Sequence, residues 1–184
     1  MIFLEMRFIE LLYENHTHFW DVFFKFFTKL GDKGIFWIII GLLLFIFAKN
    51  KKTGACVLIA LILGVIFGNL IVKNLAARSR PFWENPALQL IIKEPADYSF
   101  PSGHTIASFG SGTAVFKNKK KLGVIFIILA ALIGFSRLYL SVHYPTDVVL
   151  GMAMGIFIGN ISPVIYDKFI EDKLEKIPRS LKRK

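Results

Sequence analysis

The sequence predicts an all-α fold: a polytopic membrane helix bundle of about five transmembrane helices, preceded by an N-terminal amphipathic interfacial helix, six helices in all. Three observations carry this. Hydrophobic residues make up 54% of the 184-residue chain, and mean hydropathy is +0.55, too apolar for an ordinary soluble domain. The apolar residues come in runs near the length that crosses a bilayer's hydrocarbon core, the cleanest being residues 55–72. The runs are separated by lysine clusters, as cytoplasmic loops are.

Residues 1–30 open the chain as an amphipathic helix. Between residues 4 and 29, apolar clusters alternate with Glu5, Arg7, Glu10, Glu14, His16, His18, Asp21 and Lys25, while Phe19, Trp20, Phe23, Phe24, Phe26 and Phe27 crowd the second half. Such a segment fits a helix lying in the membrane interface better than one crossing it. Early acids and the lack of a small-residue cleavage site argue against a signal peptide. A turn is expected over Leu30-Gly31-Asp32-Lys33-Gly34.

Five spans follow, at about 34–48, 54–73, 103–116, 122–142 and 147–166. The first is short, about 21 Å at 1.5 Å per residue, and is expected to tilt little or to extend backwards. The third is short and rich in Gly, Ser and Thr, so hydropathy alone argues poorly for it. Charge supports it. Lys49, Lys51 and Lys52, then Lys117, Lys119, Lys120 and Lys121, then the basic tail at 167–184 all fall on one side only if five segments cross. That side is expected to be the cytoplasm, with the C-terminus there. Gly64 and Gly68, and Gly151, Gly155 and Gly159, form small faces for close helix packing, within the chain or in a weak homodimer. The whole chain reads as a single domain, 1–184. Net charge is +10, but its placement between apolar runs indicates a membrane partner and no nucleic acid. Cys56, the one cysteine, allows no intrachain disulfide and reads as an inert packed thiol.

Three clusters carry chemistry: Lys73-x6-Arg80-Pro81, Pro101-Ser102-Gly103-His104 and Ser136-Arg137-x5-His143-x3-Asp147. The five-span topology brings all three to the outer side. Charged groups at membrane helix ends are costly and mark function by default. If helix continues past Lys73, Lys73 and Arg80 share a face about two turns apart, Arg78 does not, and Pro81 stops the helix. Ser102 can cap the helix it precedes, making an anion site of that helix N-terminus, and Gly103 lets a ligand approach the backbone. After His143, Pro145 breaks the chain, Thr146 can cap the next helix, and Asp147 can fix the imidazole tautomer. Each cluster alone also fits a structural role: a snorkelling helix end, simple capping, or a His–Asp pair at a turn.

Together the three clusters resemble the signature of the type-2 phosphatidic acid phosphatase superfamily, across residues 73–147. The resemblance implies a membrane lipid phosphatase that needs neither metal nor cofactor. It implies His143 as the nucleophile that becomes phosphohistidine, Asp147 as its partner, and His104 as the acid that protonates the leaving oxygen. Lys73, Arg80, Arg137, Ser102 and Gly103 would then bind phosphate. Bacterial membrane branches look most similar, among them undecaprenyl pyrophosphate and phosphatidylglycerophosphate phosphatases. A site on the outer side, where recycled undecaprenyl pyrophosphate would appear, puts that lipid first among expected substrates. Phosphatidylglycerophosphate, phosphatidate and diacylglycerol pyrophosphate follow, with a non-catalytic membrane scaffold or transport component as the alternative class. The expected setting is the cell membrane, with the active site extracytoplasmic.

Overall fold

The computed structural model describes residues 2–48 and 51–171, which form helices joined by turns and loops, with no strand among them. Lys49 and the tail beyond Glu171, both used in the charge argument, lie outside the described residues. Helix α1 is Ile2–Glu14, α2 is His18–Gly31 and α3 is Ile35–Phe47. Helix α4, Lys52–Leu63, continues through a π-helical stretch, Gly64–Val72, into α5, Lys73–Ala76. A short α6, Pro81–Glu84, precedes a long loop, and then come α7 (Gly103–Asn118), α8 (Lys120–Tyr139) and α9 (Pro145–Tyr166), the last ending in a π-helical turn, Asp167–Glu171.

Five helical runs connect two opposite ends of the bundle. At one end Lys52 Nζ lies 2.5 Å from Asp167 Oδ1, tying the start of α4 to the end of α9, and the α7–α8 turn brings Gly123 against Phe116. At the other end lie Lys73, Arg80, His104, Arg137 and His143, which line one cavity. By length and apolarity four runs qualify to cross a membrane: His18–Phe47, Lys52–Glu84, Lys120–Tyr139 and Pro145–Glu171.

The fifth run, α7, is shorter and less apolar because its environment is protein. Ten of its 16 residues are buried. Glycines let its neighbours approach. A Cβ on Gly155 would fall 2.8 Å from Ile106 O, one on Gly159 2.6 Å from Gly110 O, and one on Gly68 2.5 Å from Ile106 Cδ1. Both glycine faces read from the sequence are therefore packed within this chain, against α7. Two hydroxyls of α7 find partners inside: Ser108 Oγ accepts from Trp37 Nε1 at 2.9 Å, and Thr105 Oγ1 donates to Ser102 Oγ at 2.8 Å.

The N-terminal segment is two helices instead of one. Thr17 takes the N-cap position of α2, its hydroxyl accepting from Trp20 N at 3.5 Å, while His16 turns aside so that its Nε2 meets Tyr139 O at 2.8 Å. Between α2 and α3 the chain kinks at Lys33 (φ 52°) and Gly34 (φ 67°). Lys33 pays the strain of a left-handed residue and Gly34 does not. Before the kink, Thr28 and Asp32 of α2 and its cap meet Arg137 and His104. Beyond it, α3 descends beside α4, with Gly41 against Leu58 and Gly54 against Phe45.

Candidate active site

The first cluster is built differently from the two-turn helix expected of it. Helix α5 stops at Ala76, because Ala77 is left-handed (φ 42°) and returns its N–H to Lys73 O at 3.0 Å. Arg80 is extended, and Pro81 starts α6 in place of ending a helix, since a proline at the first helical position lacks only an N–H that would go unbonded there. Lys73 and Arg80 nevertheless converge. Lys73 Nζ lies 2.6 Å from Asp97 Oδ2, and Arg80 Nη2 lies 2.6 Å from Asp97 Oδ1. Arg80 is locked further by Nε to Asp97 O at 2.7 Å and Nη1 to Val142 O at 2.6 Å. The π-helical stretch before Lys73 adds a residue to the helical turn, and it places Asn69 on the cavity wall with Lys73.

In the second cluster Ser102 occupies the N-cap position of α7, but its hydroxyl accepts from Thr105 Oγ1 at 2.8 Å and is wholly buried. Its N–H donates to Asp147 O at 3.1 Å, joining the starts of α7 and α9. Gly103 and His104 face the cavity. A Cβ on Gly103 would meet Asn69 Oδ1 at 2.7 Å, and that oxygen is buried and unbonded among the described residues.

The third cluster sits where α8 ends and α9 begins. Arg137 is buried, one Nη donating to Thr28 Oγ1. His143 is buried with its two nitrogens differently engaged. Nδ1 lies 3.5 Å from Asp147 Oδ2 and makes no hydrogen bond among the described residues, and Nε2 lies 3.4 Å from Arg80 Nη1. Asp147 is itself held: Oδ2 accepts from Tyr144 N at 2.8 Å and from the Ser99 hydroxyl, and Oδ1 accepts from Arg78 Nη1 at 2.6 Å. It is Asp147 that reaches back to the first residues of α9. Thr146 does not cap, because its N–H and hydroxyl donate to Glu5 Oε1 at 2.9 and 2.6 Å.

The cavity shared by these groups has a volume of about 1200 Å³. Lys73, Arg80, Arg137, His104 and His143 line its polar end, and Ile38, Leu58, Leu61, Ile62, Val65 and Ile66 line an apolar wall between α3 and α4. A phosphate at one end and a hydrocarbon chain at the other match that division. Lys73, Arg80, Gly103, His104, Arg137 and His143 thus come together, Asp147 stands behind His143, and Ser102 lies behind the cavity wall. Burial favours neutral His143, and the charges of Arg80, Arg137 and Lys73, with His104, push in the same direction, so its imidazole titrates well below the usual histidine range.

Three groups escaped the sequence reading. Asp97 stands where a phosphate would neutralise Lys73 and Arg80. Burial alone would raise its carboxyl, but the bonds and charges of Lys73 and Arg80 outweigh that and hold it down at about 2. Arg78 clamps Asp147 and stacks on Tyr144, its guanidinium carbon 4.0 Å from the ring centroid. Asp32 accepts from His104. Only Asp32 had a local signal, as a lone acid in a glycine turn at a membrane helix start.

Residues 53–171 match the PAP2 superfamily. The chain belongs to this superfamily. An undecaprenyl-diphosphatase of Sulfolobus acidocaldarius is 34% identical over 154 residues, covering 83% of this chain and 73% of that protein. A lipid A 4'-phosphatase of Bacteroides thetaiotaomicron is 32% identical over 167 residues, covering 81% and 72%. The crystal structure of LpxE from Aquifex aeolicus superposes with a TM-score of 0.68 at 28% identity, covering 86% of this chain and 94% of that one. A PAP2-type phosphatidylglycerolphosphate phosphatase structure from Bacillus subtilis shares the fold, with a TM-score of 0.70 at 22% identity and coverage of 96% and 87%. The chain is a membrane lipid phosphatase of the PAP2 type.

Proposed function

We propose that this phosphatase hydrolyses a polyprenyl diphosphate, undecaprenyl pyrophosphate first, to the monophosphate through a phosphohistidine intermediate. The observation that carries the mechanism is the split environment of His143: Nδ1 toward the buried Asp147 carboxylate, Nε2 toward the Arg80 guanidinium. With its proton on Nδ1, facing Asp147, the imidazole would present a lone pair at Nε2 where Lys73, Arg80 and Arg137 gather phosphate oxygens.

His143 Nε2 attacks the terminal phosphorus while the bond from phosphorus to the bridging oxygen breaks. The departing oxygen takes a proton from His104, leaving the lipid monophosphate. Water then attacks the phosphohistidine, its proton passing to His104, and inorganic phosphate departs as His143 is restored. Cations at the phosphate and an acid at the leaving oxygen are the contributions phosphoryl transfer needs most. Among the described residues no three His, Cys, Asp or Glu side chains gather as a metal site, and Lys73, Arg80 and Arg137 supply the positive charge that a metal supplies elsewhere.

The substrate reading is supported by the apolar wall beside the cations and by the relative named for undecaprenyl diphosphate. The test is turnover by the purified protein in matched micelles of undecaprenyl pyrophosphate, phosphatidylglycerophosphate, phosphatidate and diacylglycerol pyrophosphate, with chelator present. A preference for the prenyl diphosphate supports the assignment, and a preference for a glycerolipid replaces it. Rapid acid quench with labelled substrate should give acid-labile protein phosphate that His143→Ala abolishes. Turnover lost to chelator and restored by magnesium would overturn the mechanism, and no turnover on any substrate would favour a scaffold.

A further inference from the structure

We infer that Asp32 is a positioning residue for the reaction, acting through His104. This rests on the reading of His104 as the acid. Asp32 Oδ1 lies 2.9 Å from His104 Nε2, and both side chains border the cavity that holds His143. The contact is built by the fold. Asp32 follows α2 at its C-cap, where its backbone N–H bonds Lys29 O independently of the side chain. The preceding Gly31 leaves room for the imidazole: a Cβ there would fall 2.4 Å from His104 Cδ2. Asp32 also lies before residue 53, outside the segment that matches the superfamily.

The chemistry follows from the tautomer. A carboxylate at Nε2 accepts the N–H there, so protonation that matters to the leaving oxygen occurs at Nδ1. Asp32 Oδ1 is the carboxylate oxygen paired with His104 Nε2 at 2.9 Å, and an opposite charge that close stabilises a cationic imidazole. Without Asp32 the ring is free to rotate and its cationic form loses its partner. In the step itself, the proton on His104 Nδ1 passes to the departing oxygen as the phosphorus–oxygen bond breaks. The Nε2 proton stays between His104 and Asp32, fixing the ring for its return as a base toward water.

The experiment compares an alkyl phosphate, whose departure needs a proton, with an aryl phosphate, whose departure does not. Asp32→Asn keeps size and cap, and should lose about tenfold or more on the alkyl substrate but only a few-fold on the aryl one. Asp32→Glu should recover most of the loss, and Gly31→Ala, which crowds the ring, should repeat the pattern of Asp32→Asn. Equal losses on both substrates, or none, in Asp32→Asn would overturn the proposal. His104→Ala is the control that separates the two levels. If it shows the leaving-group dependence and Asp32→Asn does not, Asp32 alone is misassigned. If His104→Ala itself shows none, the acid assignment fails and the role of Asp32 with it.

Discussion

Arg78 Nη1 lies 2.6 Å from Asp147 Oδ1, so the carboxylate that faces the candidate nucleophile is held from behind by an arginine from the spacer between Lys73 and Arg80, which the sequence clusters do not single out. Asp147 is fully buried and Arg78 is 19% exposed. The arginine also reaches Thr146 Oγ1 at 2.7 Å and Glu5 Oε2 at 2.6 Å, which joins α1 to the start of α9. A buried carboxylate stays charged only where such donors compensate it.

Arg78→Ala should therefore impair catalysis without touching the phosphate pocket. Leaving a buried acceptor short of a donor costs about 1–3 kcal/mol, and Asp147 would relax from His143. The expected result is a fall in kcat of about ten- to a hundredfold with KM little changed, and a lower melting temperature in detergent. A large rise in KM with kcat intact would show that Arg78 binds substrate directly.

Asp97 neutralises the two cations that a phosphate would need, at 2.6 Å from each. Phosphate binding must displace it, so Asp97→Asn should tighten competitive inhibition by phosphate or vanadate by about tenfold, worth about 1.4 kcal/mol. Mild acid should not mimic the variant. The carboxyl is held at about 2, so its charge, and the stability its ion pairs add, are fully present above about pH 4 and are lost only as pH falls toward 2. Inhibition constants that do not change in Asp97→Asn would mean that phosphate binds without moving the loop.

The long apolar runs and the residues at their ends were legible because lipid demands apolar helices and makes polar ends conspicuous. Lys73, Arg80, His104, Arg137 and His143 were found for that reason. Asp97 and Arg78 were not, because each acts across the fold. Asp97 reaches Lys73 from a loop 24 residues on, and Arg78 reaches Asp147 over 69 residues, separations that carry no local periodicity. The helical-face reading set Arg78 apart from Lys73 and Arg80, as the cavity lining does, but its premise of continuous helix does not hold. Ala77 breaks the helix with a left-handed residue that sequence pattern does not mark.

His143 should remain a neutral nucleophile into mild acid. Its burial, then Arg80, Arg137, Lys73 and His104, all push its titration well below the ordinary value of about 6.5. The acid limb of kcat/KM, which reports the free enzyme, should fall below pH 6.5. Stability runs with the same sign. Below that pH the unfolded chain binds a proton that folded His143 refuses, so stability is lost as pH drops through and below 6.5. An acid limb of kcat/KM at or above 6.5 that His104→Ala leaves in place would contradict this.

The N-terminus should share a membrane face with the active site. Glu5 binds Arg78 and Thr146, His16 stacks on Tyr139 with ring centroids 4.1 Å apart, and Asp32 meets His104. All of these anchors lie at the cavity end of the bundle. Phe19, Trp20 and Phe26 of α2 stay exposed, and such rings are stable at headgroup level. Lys51, Lys52 and Lys117–Lys121 lie at the opposite end, and the positive-inside rule predicts that end to face the cytoplasm. With five helical runs between the ends, α1 and α2 are then expected outside, beside the mouth of the site. An epitope at the N-terminus should then be labelled on intact cells, and a cysteine at Gln89 should react with an impermeant thiol reagent. Lys119→Cys should react only after permeabilisation, and native Cys56, which is fully buried, should stay silent. An N-terminal epitope reached only after permeabilisation, together with a reactive Gln89→Cys, would mean that the first helices cross the bilayer once more than the contacts of Glu5 and His16 allow.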